Sequence, residues 1–265
     1  HLALLPLHAV VDDDEGSDQL VWSYAPNAQV LRAAYEAARA RTVERPRLLH
    51  VGAPGTGSDM LSFTNQVPSA LDRHAGVVTS LRAEAGQRQA VLTAGDQDVY
   101  HFVCHAVADR SDPLDSHLSL ADGQLTIRDL LGRRLSARLA VLAACETGVP
   151  YAELPDESVS LPAALLQAGI PGIVGTLWPV EELPTLLLTT RFYELWLGHR
   201  LAPAEALHHA RRWLRSGTVA DFDRYMREQV GGQARWPYRG TTGRARKHRI
   251  FAHPDCWAAF TYTGV

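Results

Sequence analysis

The sequence has few cysteines, one lysine and no long apolar run, and each shortage excludes a class of protein. Its 265 residues include three cysteines without a regular spacing, which argues against a secreted disulfide scaffold and predicts a reducing compartment, the cytoplasm. No apolar run approaches the ~18 residues of a membrane-spanning helix, so we expect no membrane contact. The single lysine, Lys247, among abundant arginines indicates the coding bias of a GC-rich genome.

The overall composition is that of an ordinary globular domain. Hydrophobic residues make up 46% and charged residues 21%, and the net charge is −3, so no global field favours nucleic acid or a membrane surface. We interpret residues 1–265 as a single domain with a variable polar insertion at 216–249. The chain opens inside an apolar segment, 2–10, which we predict to be a strand. We therefore expect a piece of a longer polypeptide.

Two apolar runs each end at a reactive side chain. Residues 99–104 lead to His105, and residues 138–144 lead to Cys145. Short Val- and Leu-rich runs bounded by turn signals predict buried strands of a parallel sheet. Their alternation with helices predicts a three-layer α/β/α fold, a mostly parallel sheet with helices on both faces. Ligands bind at the carboxyl ends of such strands, and neighbouring strands lie ~4.8 Å apart, so His105 and Cys145 are a candidate catalytic pair.

Cys145 has two interpretations. A cysteine that ends an apolar strand is, taken alone, more often a small buried apolar residue than a nucleophile. Three features favour the nucleophile: His105 ends a similar strand, the turn 146–148 would expose the sulfur, and the small Ala106 leaves its N–H accessible to a developing oxyanion. A thiol needs a lowered pKa or a nearby base to react at neutral pH, and His105 could be that base.

The remaining cysteines and histidines do not predict a metal site. Cys104 precedes His105 and points to the opposite sheet face by the two-residue strand period. Cys256 and His253 lack two further ligands at a spacing suited to zinc. His101 and His105 are four residues apart on a strand, ~13 Å, which is too far to share an ion. We expect neither a metal nor a cofactor.

Three other functions, phosphate binding, serine hydrolysis and nucleic-acid binding, find little support in the sequence. The glycine-rich turn 52–58 lacks the lysine of a phosphate-binding loop, and the Gly-x-Ser-x-Gly motif of a serine hydrolase does not occur. Residues 239–249 are basic without interleaved aromatic residues, so we interpret them as a mobile solvated loop and expect no nucleic-acid contact.

Several separated motifs resemble those of the CHAT domain, a bacterial caspase-like peptidase family related to separase. In chain order they are LPLHA (5–9), WSYAP (22–26), HFVCHA (101–106), PLDSHL (113–118), ADG (121–123), AACETG (143–148), Gly169, GTLWPV (175–180), HP (253–254) and WAAF (257–260). Their order and their spread over almost the whole chain make the resemblance specific.

The resemblance implies a caspase/hemoglobinase-like fold and a cysteine endopeptidase. Cys145 would attack the scissile carbonyl, and His105 would act as general base and acid. The N–H groups of Ala106 and Cys145 would form the oxyanion hole, an effect worth ~3 kcal/mol per donor in comparable sites. Implied partners are a protein or peptide substrate and a regulatory or sensor domain that keeps the enzyme latent. The alternative is a non-catalytic caspase-like interaction module.

The resemblance also indicates where a substrate would bind. Related peptidases hold it extended beside the strand edge near Thr176, Leu177 and Trp178. Acidic residues follow this strand, as in the separase-like pattern, or lie in loops that leave the catalytic strand ends. These candidates are Asp115, Asp156, Glu157, Glu181 and Glu182. Our hypothesis is that one or more of them favours a basic residue at substrate position P1, and the alternative is that they are solvated loop charges.

Overall fold

The computed structural model describes residues 5–11, 20–52, 67–82, 87–93, 97–109, 111–143, 160–230 and 236–265. Cys145, Asp156, Glu157 and most of the glycine-rich turn 52–58 lie outside these ranges. The strands are β1 (Arg47–Gly52), β2 (Val77–Arg82), β3 (Val99–Val103), β4 (His105–Val107), β5 (His117–Leu120), β6 (Gly123–Thr126), β7 (Leu139–Leu142), β8 (Gly172–Thr176) and β9 (Phe260–Gly264).

The α-helices of the described residues are α1 (Leu7–Val11), α2 (Ala28–Arg39), α3 (Val67–Leu71), α4 (Gln87–Thr93), α5 (Ile127–Leu131), α6 (Leu161–Gln167), α7 (Glu182–Tyr193), α8 (Pro203–Ser216) and α9 (Val219–Tyr225). Short π-helical segments extend α7 and α9, at Glu194–Gly198 and Met226–Val230. None of these helices is long and apolar enough to cross a bilayer.

Six strands form the main sheet, in the order β2-β1-β3-β7-β8-β9. The first five are mutually parallel, and β9 is antiparallel to β8 at one edge. This confirms the predicted mostly parallel sheet. It also confirms that the two strands predicted to lead to His105 and Cys145 are β3 and β7 and are neighbours.

Helices cover both faces of this sheet because its central strands alternate side chains between two apolar clusters. One cluster takes Leu48 and Val99 and packs against α3, α7, α8 and α9. The other takes Leu49 and Tyr100 and packs against α2, α4, α5 and α6. Strands buried on both faces are expected to be continuously apolar, as β3 and β7 are. The three-layer arrangement is therefore confirmed.

A small antiparallel sheet, β4-β5-β6, follows directly from β3. The predicted hairpin at Asp122-Gly123 joins β5 to β6, and Gly123 adopts φ 145°, a conformation that L side chains rarely adopt. Thr126 caps α5 as predicted, since its hydroxyl accepts from the Asp129 N–H and the Asp129 carboxylate accepts from the Thr126 N–H.

Two predictions about segments were wrong. Residues 7–10 of the predicted opening strand, 2–10, lie in α1 instead. The segment 216–249 is not polar throughout, because α9 and its extension bury Phe222, Met226 and Val230 in the same apolar cluster as α7 and α8. The sparse apolar residues of this segment recur at helical spacing, which the abundance of charge around them obscured.

His8 connects α1 to the body of the domain. Its buried ring donates from Nε2 to the Ala258 carbonyl (3.0 Å) and accepts at Nδ1 from the Tyr24 hydroxyl (2.9 Å). Burial, together with the nearby Arg211 charge, lowers the pKa of His8 to about 3, although the bond to Ala258 opposes the shift. The ring is therefore neutral in the folded protein at neutral pH.

We expect the free energy of unfolding to decrease as the pH falls from 7 to 5. The unfolded chain protonates His8 near its ordinary pKa of ~6.5, whereas the folded chain does not, so acid favours unfolding. His8 alone contributes a loss of about 2 kcal/mol at pH 5. Urea denaturation at the two pH values measures the change.

The variant His8→Gln should be less stable at pH 7 but should lose ~2 kcal/mol less than the wild type between pH 7 and pH 5. The matched control is His248→Gln, at an exposed histidine, which should leave the wild-type pH dependence unchanged. Equal pH dependence in His8→Gln and the wild type would contradict this account of His8.

Candidate active site

His105 lies where the main sheet gives way to the small one. β3 ends at Val103, the chain bends at Cys104, and His105 begins β4. The Cys104 side chain is buried in the apolar cluster that also contains Leu118, whereas His105 is exposed. The two adjacent side chains therefore lie in different environments, Cys104 in the core and His105 at the surface.

β7 brings the second reactive segment alongside. Its register with β3 runs from Val99 opposite Leu139 to Phe102 opposite Leu142, and the Ala143 N–H donates to the Phe102 carbonyl (2.8 Å). The two chains thus leave the sheet side by side at its carboxyl edge. Cys145 follows two residues later and lies outside the described residues, so its pairing with His105 stays a prediction, as does the oxyanion role of Cys145 and the half-buried Ala106.

A buried polar cluster lies beneath this edge. His50 and His101 stand opposite each other on β1 and β3, with ring centroids 5.2 Å apart, and the Tyr193 hydroxyl of α7 lies 3.2 Å from His101 Nδ1. Burial lowers the pKa of His101 well below its ordinary value, and the neighbouring His50 adds to the shift. His101 is therefore neutral, and its contact with Tyr193 ties β3 to α7.

The end of β8 is more enclosed than a substrate-binding edge was expected to be. Thr176 and Leu177 are buried, and the Leu177 N–H already donates to the Ala259 carbonyl (2.9 Å) beside β9. Trp178 is half-buried, and its Nε1–H donates to the Asp255 carbonyl (3.2 Å). On the side of β8 that faces β9, the backbone is thus already hydrogen-bonded as far as Leu177. Trp178 is the first of the three predicted residues with substantial exposed surface.

Two carboxylates belong to the segments around Trp178, those of Glu181 and Asp255. The Asp255 carboxylate lies 3.3 Å from His253 Nδ1. Burial raises the pKa of the Cys256 thiol, and the negative charges of Glu181 and Asp255 raise it further. Glu181 is exposed just before α7 begins, and Glu182, its neighbour, is half-buried. Of the five predicted acidic residues, Glu181 and Glu182 are therefore at the end of β8, while Asp156 and Glu157 lie outside the described residues.

Asp115 lies in the 3₁₀ turn Pro113–Asp115 that precedes β5, whereas His105 stands opposite Ser119 on β5. The Asp115 carboxylate pairs with Arg128 (3.1 Å), which also pairs with Asp112 (2.8 Å). Asp115 thus shares one positive partner with Asp112, and its role in substrate binding stays a prediction.

Within the described residues, no group of three or more histidines, cysteines, aspartates or glutamates could hold a metal ion. The predicted absence of a metal and of a cofactor stays a prediction.

Comparison with known proteins decides the family. The family model of the CHAT domain matches residues 1–265, the whole chain. The chain belongs to the CHAT domain family. No curated protein matches this CHAT domain.

Solved structures give the fold. Two crystal structures of the Saccharomyces cerevisiae separase–securin complex match the CHAT domain with a TM-score of 0.63 each, at 12% and 13% sequence identity. Each match covers 99% of the CHAT domain, which corresponds to only 15% and 14% of the matched chains. The caspase-like three-layer fold is therefore confirmed, whereas activity is not carried over at this identity.

Sequence reasoning missed two features of this CHAT domain. One is Asp255, in the 3₁₀ turn Pro254–Cys256 beside Trp178, although the His-Pro motif just before it belongs to the resemblance. The other is the contact between His101 and Tyr193, which are 92 residues apart in the sequence. Only the alternation of side chains along β3, which places His101 on the face covered by α7, could have pointed to it.

Replacing Tyr193 by phenylalanine should lower the free energy of unfolding of the CHAT domain by about 1–2 kcal/mol, because a buried His101 nitrogen loses its partner. Urea denaturation at pH 7 measures the loss. The matched control is Tyr35→Phe, at an exposed tyrosine of α2. Equal stability of the two variants would show that the contact between His101 and Tyr193 contributes nothing.

Proposed function

We propose that this CHAT domain is a caspase-like cysteine endopeptidase with Cys145 as nucleophile and His105 as general base and acid. The observation that supports it most is the register of β3 and β7. Leu139 stands opposite Val99, an offset of 40 positions (139 minus 99), and the same offset separates Cys145 from His105. This shared offset supports the proposal that both residues follow the carboxyl ends of adjacent parallel strands, where such sheets carry their chemistry.

In the proposed reaction His105 first takes the proton of the Cys145 thiol, and at the end it returns the proton taken from water to the Cys145 sulfur. The Cys145 thiolate attacks the scissile carbonyl carbon, and the resulting oxyanion is stabilised by the N–H groups of Ala106 and Cys145. The carbon–nitrogen bond then breaks, and the amine leaves with a proton donated by His105. Water, deprotonated by His105, hydrolyses the thioester and regenerates the thiol. The exposure of His105 on β4 is compatible with access to both the substrate and water.

We further propose a protein substrate and a regulatory or sensor partner that keeps the enzyme latent. The similar yeast structures are complexes of separase with securin, so this fold is known in association with another protein. The CHAT domain also corresponds to only 15% and 14% of those chains, and we expect the regulatory part to lie outside it. A thiol nucleophile requires a reducing environment, which agrees with the cytoplasmic location predicted from cysteine usage.

A basic residue at P1 is the proposed specificity. Glu181 follows Trp178 by three residues at the carboxyl end of β8, and the Asp255 carbonyl accepts from the Trp178 Nε1–H, although the Asp255 carboxylate also contacts His253 (3.3 Å). Glu181 makes no capping bond to α7, so its carboxylate is not committed there. Because Asp115 pairs with Arg128, it is the weaker candidate.

Active-site labelling tests the proposed nucleophile. An acyloxymethyl-ketone peptide probe with arginine at P1 should label the wild type, fail to label Cys145→Ala, and label His105→Ala at least 100-fold more slowly, since general-base catalysis typically contributes ~10²–10⁴. Mass spectrometry of the adduct measures the site of labelling.

The matched control is Cys256→Ala, which removes the partly exposed thiol of the described residues and should retain full labelling. Adduct formation that persists in Cys145→Ala would overturn the assignment. Absence of labelling by probes with basic, acidic and apolar P1 residues would instead favour the non-catalytic interaction module.

A peptide panel that differs only at P1 tests the specificity. Arginine and lysine should be preferred, and Glu181→Gln should reduce the ratio of kcat/KM for arginine over leucine about 2- to 5-fold, the value of an exposed charge pair. Glu44→Gln is the matched control, because this exposed carboxylate precedes β1 at the opposite end of the sheet. Indifference of the wild type to the charge at P1 would contradict the proposal.

A further inference from the structure

The segment from Trp236 to Phe251 carries a concentration of positive charge that the proposed reaction does not use. Both terminal rings are buried, and nearly every residue between them is exposed. Its basic side chains are Arg239, Arg244, Arg246, Lys247 and Arg249, which we call the basic surface. Not one aspartate or glutamate occurs between Glu228 and Asp255.

The basic surface lies on a loop with turns and one short helix. Gly240 and Gly243 adopt φ 79° and 65°, which L side chains rarely adopt, and a 3₁₀ helix follows at Gly243–Lys247. The His248 carbonyl accepts from the Val219 N–H (3.0 Å) at the start of α9. The backbone that carries these arginines is therefore attached to the domain at both ends, through Trp236 and Phe251, and also through His248.

Four charges of the basic surface, those of residues 244, 246, 247 and 249, form no ion pair within the described part of the chain. The acids of α9 are already engaged, since Asp221 pairs with Arg224 (2.9 Å) and Asp223 with Arg227 (2.6 Å). Among the described residues, these four exposed charges are therefore available to anionic groups of another molecule.

The surroundings favour a short acidic segment over an extended polyanion. The basic surface holds five of the 26 lysines and arginines and none of the 29 acidic residues, so the rest of the chain has 21 basic against 29 acidic residues and repels a long nucleic acid. Tyr238, 36% exposed, is the one large aromatic side chain exposed in this segment, whereas single strands bind on several stacked rings. The guanidinium fork of arginine matches a carboxylate in two parallel hydrogen bonds.

The basic surface also adjoins the candidate active site. The chain continues from it to Asp255, whose carbonyl bonds Trp178 at the end of β8, and Trp257 lies under Arg215 at the end of α8 (5.1 Å). We propose that the basic surface binds an acidic segment of a protein partner at the rim of the proposed active site. This binding does not depend on the proposed peptidase activity.

A direct binding measurement tests the proposal without catalysis. Fluorescence anisotropy of the wild-type chain is measured with a short labelled peptide of alternating glutamate and glycine. The peptide should bind, and binding should weaken as salt is added. The variant with Arg244→Gln, Arg246→Gln and Arg249→Gln should bind about tenfold more weakly, the sum expected for three exposed charge pairs.

The matched control removes the same charge from another exposed surface, through Arg32→Gln, Arg133→Gln and Arg134→Gln, and should bind as the wild type does. A peptide of glutamine and glycine should not bind. Absence of binding of the glutamate peptide, or equal losses in both triple variants, would overturn the proposal. Tighter binding of single-stranded RNA of the same length would overturn it in favour of a nucleic-acid site.

Discussion

The parallel pairing of β3 and β7, buried on both faces, is the constraint on which the rest of the domain depends. Every residue of both strands is buried, and successive side chains enter two different apolar clusters. A slip of one residue would turn Tyr100 and His101 toward the wrong clusters. Because burial fixes the register in this way, the segments that carry His105 and Cys145 leave the sheet together.

Polar groups are distributed according to the free-energy cost of burying their charge. In the interior, His8 and His101 stay neutral, since burial lowers the pKa of each, and their rings bond to a carbonyl or a hydroxyl. Charged carboxylates such as Glu181 and Asp255 lie at the sheet's carboxyl edge, where water and a substrate could reach them. The fold therefore separates the groups that hold it together from those available for binding.

Much of the architecture could be predicted because the relevant signals are local. Apolar runs located β1, β3, β7 and β8, and Thr126 marked the start of α5 through its capping box. The errors lie where local signals conflict with packing. The opening apolar residues form α1 because His8 finds its partners, Tyr24 and Ala258, far along the chain. The sequence did not predict α9 for a similar reason, because its few apolar residues find their contacts on α7 and α8 only in the folded domain.

The sequence by itself determined the order of the elements, the family and the positions of His105 and the segment that ends at Cys145, because these depend on periodicity and on short motifs. Tertiary structure decided which side chains share an environment. It paired the Asp115 carboxylate with Arg128, and it brought the Asp255 carbonyl within hydrogen-bond distance of Trp178. Such pairings join residues distant in the sequence, and the free energy that selects them comes from packing the whole sheet and its helices, which no local pattern encodes.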